Sequence, residues 1–140
     1  MRLVLDTNIV ASGLFWGGHP ARLLDAAQLG EIELCTSRPL LAELARILTR
    51  RKFAKAVAAT DLSIEDLVLD YVALTTVVTP ARLAPTIAAD PADDQVLACA
   101  LAARADWIVS GDKHLHSLGE TYRGIRIVRP AQAVATLKTG

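Results

Sequence analysis

Four acids fall where acids could act together. Asp6 ends the short apolar run Leu3-Val4-Leu5, and Asp112 follows a second such run in Val109-Ser110-Gly111-Asp112. Asp93 opens a strongly apolar helical stretch, and Glu43 sits at the margin of an apolar helix face. In a parallel α/β sheet, sites form outside the carboxyl ends of the strands, so Asp6 and Asp112 are expected at one edge, with Asp93 beginning its helix there too. Carboxylates gathered in this way repel one another and rise in pKa unless something offsets the charge. Mg²⁺ or Mn²⁺ resolves that repulsion with oxygen ligands and leaves coordination places for water. One or two such ions would activate water and stabilise a leaving oxygen in phosphodiester cleavage. No His or Cys is spaced to join the set.

Each acid has a plainer reading when taken alone. Asp6 and Asp112 suit turns, Asp93 and Asp94 suit a helix start where negative charge is favoured, and Glu43 suits a solvated helix face. Only their joint placement points to a site.

The elements that must position these acids follow from hydropathy periodicity. Leu3–Leu5, Glu31–Cys35, Thr75–Val78, Trp107–Val109 and Ile125–Val128 read as short strands. Between them, Pro20–Leu29 reads as a helix stopped by Gly30. A second helix is capped by Ser37 and carries Leu40, Leu41, Leu44, Ile47 and Leu48 on one face. Ser63-Ile64-Glu65-Asp66 opens a third, followed by Val96–Ala103, Lys113–Leu118 and Pro130–Leu137. Alternation of this kind predicts an α/β three-layer sandwich around a central parallel five-stranded sheet. Phe15 and Trp16 are expected in the loop after Asp6, facing either a base or the core.

Composition bounds the rest. Over 140 residues, the 52% hydrophobic fraction predicts a well-cored single domain spanning 1–140. Lys plus Arg equals Asp plus Glu at 15 each, so any attraction for a polyanion must be local. Arg46, Arg50, Arg51 and Lys52 supply such a patch, equally readable as a solvated helix end. Cys35 and Cys99 read as buried free thiols of a reducing compartment. With no signal segment and no apolar run near the roughly 18 residues of a membrane span, the expected location is cytoplasmic.

At four segments the chain resembles the PIN-domain family, and within it the toxin components of bacterial toxin–antitoxin pairs (VapC-like ribonucleases). These are Leu3-Val4-Leu5-Asp6-Thr7-Asn8, Ser37–Leu44, Asp90–Ala98 and Ala105–Leu115. The resemblance implies a metal-dependent ribonuclease with strand order three, two, one, four, five, all parallel. It implies that Asp6, Glu43, Asp93 and Asp112 are both the catalytic acids and the Mg²⁺ or Mn²⁺ ligands. Asn8, Asp90, Asp94 and Ser110 would support them; Asp93 aligns with the family acid and Asp94 flanks it. Implied partners are the RNA substrate, a small antitoxin protein and a second copy in a homodimer, with no membrane. The alternative is a catalytically weak PIN-like module that binds RNA or protein. A haloacid-dehalogenase phosphatase would need an acid where Asn8 stands and another near His116. A response-regulator receiver would need paired acids after the first strand and one after the third.

Overall fold

The structure is a computed structural model that describes residues 1–83 and 91–137. Its strands are β1 (Arg2–Leu5), β2 (Glu33–Thr36), β3 (Thr75–Val77), β4 (Trp107–Val109), β5 (Thr121–Tyr122) and β6 (Ile125–Val128). Its helices are α1 (Thr7–Phe15), α2 (His19–Gln28), α3 (Arg38–Ile47), α4 (Ala54–Ala59), α5 (Ile64–Ala73), α6 (Pro91–Ala103), α7 (Lys113–His116) and α8 (Pro130–Leu137). A 3₁₀ turn, Arg51–Phe53, precedes α4.

The strands form one sheet in the order β3-β2-β1-β4-β6-β5. The first five of that order run parallel, as expected, but the sheet has six strands rather than five. The extra strand, β5, pairs antiparallel with β6 at the edge. Arg123 (φ +48°) and Gly124 (φ +83°) join the two, both in the left-handed region that a tight two-residue hairpin turn demands.

Strand alternation sends side chains into two apolar layers. Leu3, Leu5, Leu34, Trp107, Val109 and Val128 pack beneath α1, α2, α3, α5 and α8. Val4, Cys35, Ile108, Ile125 and Ile127 pack against α6 and Leu115. Burial on both faces explains why Leu3–Leu5 of β1 and Trp107–Val109 of β4 read as unbroken apolar runs.

A second departure from expectation lies directly after Asp6. The segment leading to Phe15 is not loop but helix α1, with the Ile9 and Val10 amides donating to the Asp6 carbonyl. Its Thr7, Ile9 and Val10 are β-branched and poor helix formers, so burial of Val10 and Ala11 overrides propensity. Gly13 lets α2 approach: a Cβ there would lie 2.8 Å from Leu24 Cδ1 and 3.0 Å from the Pro20 carbonyl oxygen. Phe15 and Trp16 then pack on buried Phe53, at centroid distances of 5.8 and 5.2 Å.

Elsewhere local chemistry sets the boundaries as the sequence suggests. Ser37 Oγ accepts from the Leu40 amide at 3.5 Å, and Pro39 lies in the first turn of α3. Ser63 and Asp66 form a reciprocal capping box on α5, with bonds of 3.0 and 3.3 Å.

Candidate metal centre

Sheet register brings the first two acids together. Leu5 stands opposite Val109 in the β1–β4 pairing, so Asp6 and Ser110 leave the sheet side by side. The Asp6 amide donates to the Val109 carbonyl at 2.9 Å, and the Ser110 amide donates to the Val128 carbonyl at 3.0 Å. Ser110, fully buried, then donates its hydroxyl to Asp6 Oδ2 at 2.7 Å and accepts from the Asp112 amide at 2.9 Å. Asp112 caps α7, its Oδ1 accepting from the His114 amide at 2.7 Å. His116 Nε2 lies 2.6 Å from the Ser110 carbonyl; since that oxygen can only accept, the ring nitrogen donates.

Asp93 arrives from the first turn of α6, where the macrodipole favours a carboxylate. Oxygens from Asp6, Asp93 and Asp112 all lie within 4.8 Å of one another. Asp6 is 6% exposed and Asp93 3%, so two of the three charges are withdrawn from water. Burial pushes the Asp6 carboxyl above its ordinary value, and the nearby Asp112 charge adds to the rise. The Ser110 hydroxyl and the Thr7 and Asn8 amides work against it.

Glu43 lines the same cavity from the middle of α3. The hollow is small, about 70 Å³, and is lined by Asp6, Asn8, Glu43, Asp93, Asp112 and the cations Arg46 and Arg50, among others. Arg46 grips the Glu43 carboxylate with both Nε (2.9 Å to Oε2) and Nη2 (to Oε1). A roomier hollow of about 380 Å³, lined by Met1, Arg22, Glu31, Ile32, Thr136 and Leu137, has a single acid, Glu31, which pairs with Arg22 at 3.0 Å. Size therefore does not mark the site; converging carboxylates do.

The sequence-derived candidates divide accordingly. Asp6, Asp93 and Asp112 meet, and Glu43 shares their cavity without joining the cluster. Asn8 is exposed on the rim, and Ser110 lies beneath Asp6. Asp94 neighbours Asp93 in α6 but is neither in the trio nor among the cavity residues, and Asp90 lies outside the described residues. Of the basic patch, Arg46 and Arg50 line the cavity. Exposed Arg51 lies in the 3₁₀ turn, and Lys52 Nζ sits 5.0 Å over the Phe53 ring. Sequence reasoning missed His116, whose contact with Ser110 has no sequence signature. It also missed the Glu43–Arg46 pair, which the three-residue spacing on one helix could have shown.

Three hard carboxylates, two of them buried, fit a hard divalent cation through the chemistry of the donor set. A bound dication would offset the charge repulsion that burial aggravates.

A sheet of this order with acids beyond β1 and β4 defines the class: an α/β domain with an acidic strand-end pocket. The family model for the PIN domain matches residues 2–114, a span that contains all four acids, and the chain belongs to the PIN-domain family. Among solved structures it is similar in fold to the crystal structure of VapBC2 from Rickettsia felis bound to a DNA fragment from their promoter. The TM-score is 0.60 at 13% sequence identity, covering 92% of this chain and 98% of that one. No curated protein matches the chain. Among the described residues, no helix is long and apolar enough to cross a membrane.

Proposed function

We propose that the protein is a metal-dependent endoribonuclease that hydrolyses RNA phosphodiester bonds, and that it is the toxin of a toxin–antitoxin pair. Residues 1–140 act as one nuclease domain in the cytoplasm, as a homodimer restrained by a small antitoxin. The observation that carries the catalytic part is the trio Asp6, Asp93 and Asp112, with carboxylate oxygens within 4.8 Å in a chain of the PIN-domain family. The antitoxin rests on the fold likeness to VapBC2.

Asp6, Asp93 and Asp112, joined by Glu43, would hold Mg²⁺ or Mn²⁺. When bound there, the cation supplies Lewis-acid polarisation of the scissile phosphate and makes a water acidic enough to attack near neutral pH. The remaining work belongs to the chain. Ser110 fixes the rotamer of Asp6 and stabilises its charged form, while the His114 amide fixes the rotamer of Asp112. His116 holds the carbonyl of Ser110, whose hydroxyl contacts Asp6 and the Asp112 amide. Arg46 and Arg50, which line the cavity, would draw the RNA backbone over the acids. Asn8, on the rim, offers an amide to the substrate.

The test is cleavage of labelled single-stranded and structured RNA by the purified protein, with Mg²⁺ or Mn²⁺ and with chelator. Endonucleolytic products that need the metal are expected. Persistent cleavage in chelator would overturn the metal mechanism, and binding of RNA without any cleavage would favour a binding module.

A further inference from the structure

The Glu43 carboxylate is already engaged by a cation across two bonds. The Arg46 guanidinium takes both of its oxygens from the next turn of α3. The two ends of the pair differ in setting: the Glu43 side chain is 18% exposed and faces the cavity, whereas the Arg46 side chain is 62% exposed. The guanidinium therefore reaches solvent while the carboxylate it holds faces the cavity.

We propose that Arg46 is an exchange residue: its guanidinium holds Glu43 apart from the three aspartates, and gives up that carboxylate for an RNA phosphate. Carboxylate and phosphate present the same paired oxygens to the planar fork of arginine, so one can replace the other without rearranging the donor. A pair three residues apart on one helix whose arginine is largely exposed is weak, so opening it costs little. Release turns Glu43 toward Asp6, Asp93 and Asp112 as a fourth carboxylate for the cation. Phosphate binding by Arg46 and cation binding by the acids thus become coupled through one side chain, and the full ligand set assembles only with substrate in place. This inference rests on the nuclease reading above.

A thermodynamic cycle tests it with the purified full-length chain as wild type, R46Q, E43Q and the double variant. Mn²⁺ affinity is read by calorimetry without RNA. Affinity for a short single-stranded RNA is read by fluorescence anisotropy in chelator, where no cleavage occurs. Arg46 is largely exposed, so R46Q is expected to melt within a few degrees of wild type. R46Q should bind Mn²⁺ roughly three- to tenfold more tightly, because Glu43 is freed, and that gain should disappear in the E43Q background. E43Q should bind RNA more tightly than wild type, a gain that R46Q removes; R46K, which keeps charge but not the fork, should restore less than half of it. Equal gains in both backgrounds would mean a simple field effect and would overturn the exchange, as would unchanged Mn²⁺ affinity in R46Q. If wild type binds no Mn²⁺, or D6N binds it equally well, the nuclease reading fails and the inference with it. If Asp6-dependent Mn²⁺ binding stands while the cycle is additive, the inference alone fails.

Discussion

Ser110 Oγ donates to Asp6 Oδ2 at 2.7 Å, a buried bond that ties the ends of β1 and β4 across 104 residues of sequence. The same hydroxyl accepts from the Asp112 amide at 2.9 Å, so one oxygen sets the relation between two of the three clustered acids. The parallel register Leu5↔Val109 makes that contact possible.

Ser110→Ala should therefore impair the site more than the fold. Its hydrogen bond stabilises the charged form of Asp6, so its loss raises that carboxyl further. The acid limb of the pH–rate profile should move upward, with Mn²⁺ affinity falling by about tenfold for a charge-assisted bond lost. An unchanged acid limb would show that Ser110 does not tune Asp6.

Asp6→Asn should stabilise the protein in chelator at neutral pH. Burial holds the Asp6 carboxyl above its ordinary value in the folded state. Its favourable contribution is thus complete below the unfolded carboxylate range and lost as pH rises through the raised value. The variant should melt a few degrees above wild type at pH 7, and the difference should shrink toward pH 4. Mn²⁺ at a hundredfold excess over Kd should stabilise wild type by about 2.7 kcal/mol and the variant by far less. Thermal melts across pH and metal concentration would read both effects.

Phe53, fully buried, carries the ring stack against Phe15 and Trp16. Phe53→Ala should cost about 3–5 kcal/mol in urea unfolding. Trp16 is 45% exposed, and its replacement by Ala should cost about 1 kcal/mol. Equal losses would place Trp16 in the core.

Burial raises both cysteine thiols, Cys99 to about 12. Thiol reagents at pH 8 should leave Cys35 and Cys99 unmodified in the native chain and label both in urea. Fast native labelling would contradict the packing of α6 on β2.

Much of this architecture was legible in the sequence because the central parallel strands, β1 and β4, are buried on both faces. Leu3-Val4-Leu5 and Trp107-Ile108-Val109 declare themselves as uninterrupted apolar runs, and each ends near an acid. Helix α1 was not legible, since Thr7, Ile9 and Val10 favour extended backbone and only packing against α2 and the sheet makes them helical. Strand β5 is two residues long and has no periodicity to read; its one signal is Gly124 in the turn. Within the site, Asp6 and Asp112 follow from strand ends, and Asp93 rather than Asp94 follows from the family resemblance; the cluster contains Asp93. The grip of Arg46 on Glu43 obeys a spacing rule, but grouping Arg46 with Arg50, Arg51 and Lys52 as one basic patch obscured it.

The central claim is that Asp6, Asp93 and Asp112 act together on RNA through a divalent cation. The most direct measurement is the single-turnover rate of RNA cleavage in saturating Mn²⁺ for wild type, D6N, D93N, D112N and D94N. Each of the first three variants should lose at least about 100-fold, with losses far from additive when combined, whereas D94N should stay within about threefold of wild type. Cleavage by D6N at the wild-type rate, or a greater loss in D94N than in D93N, would contradict the account.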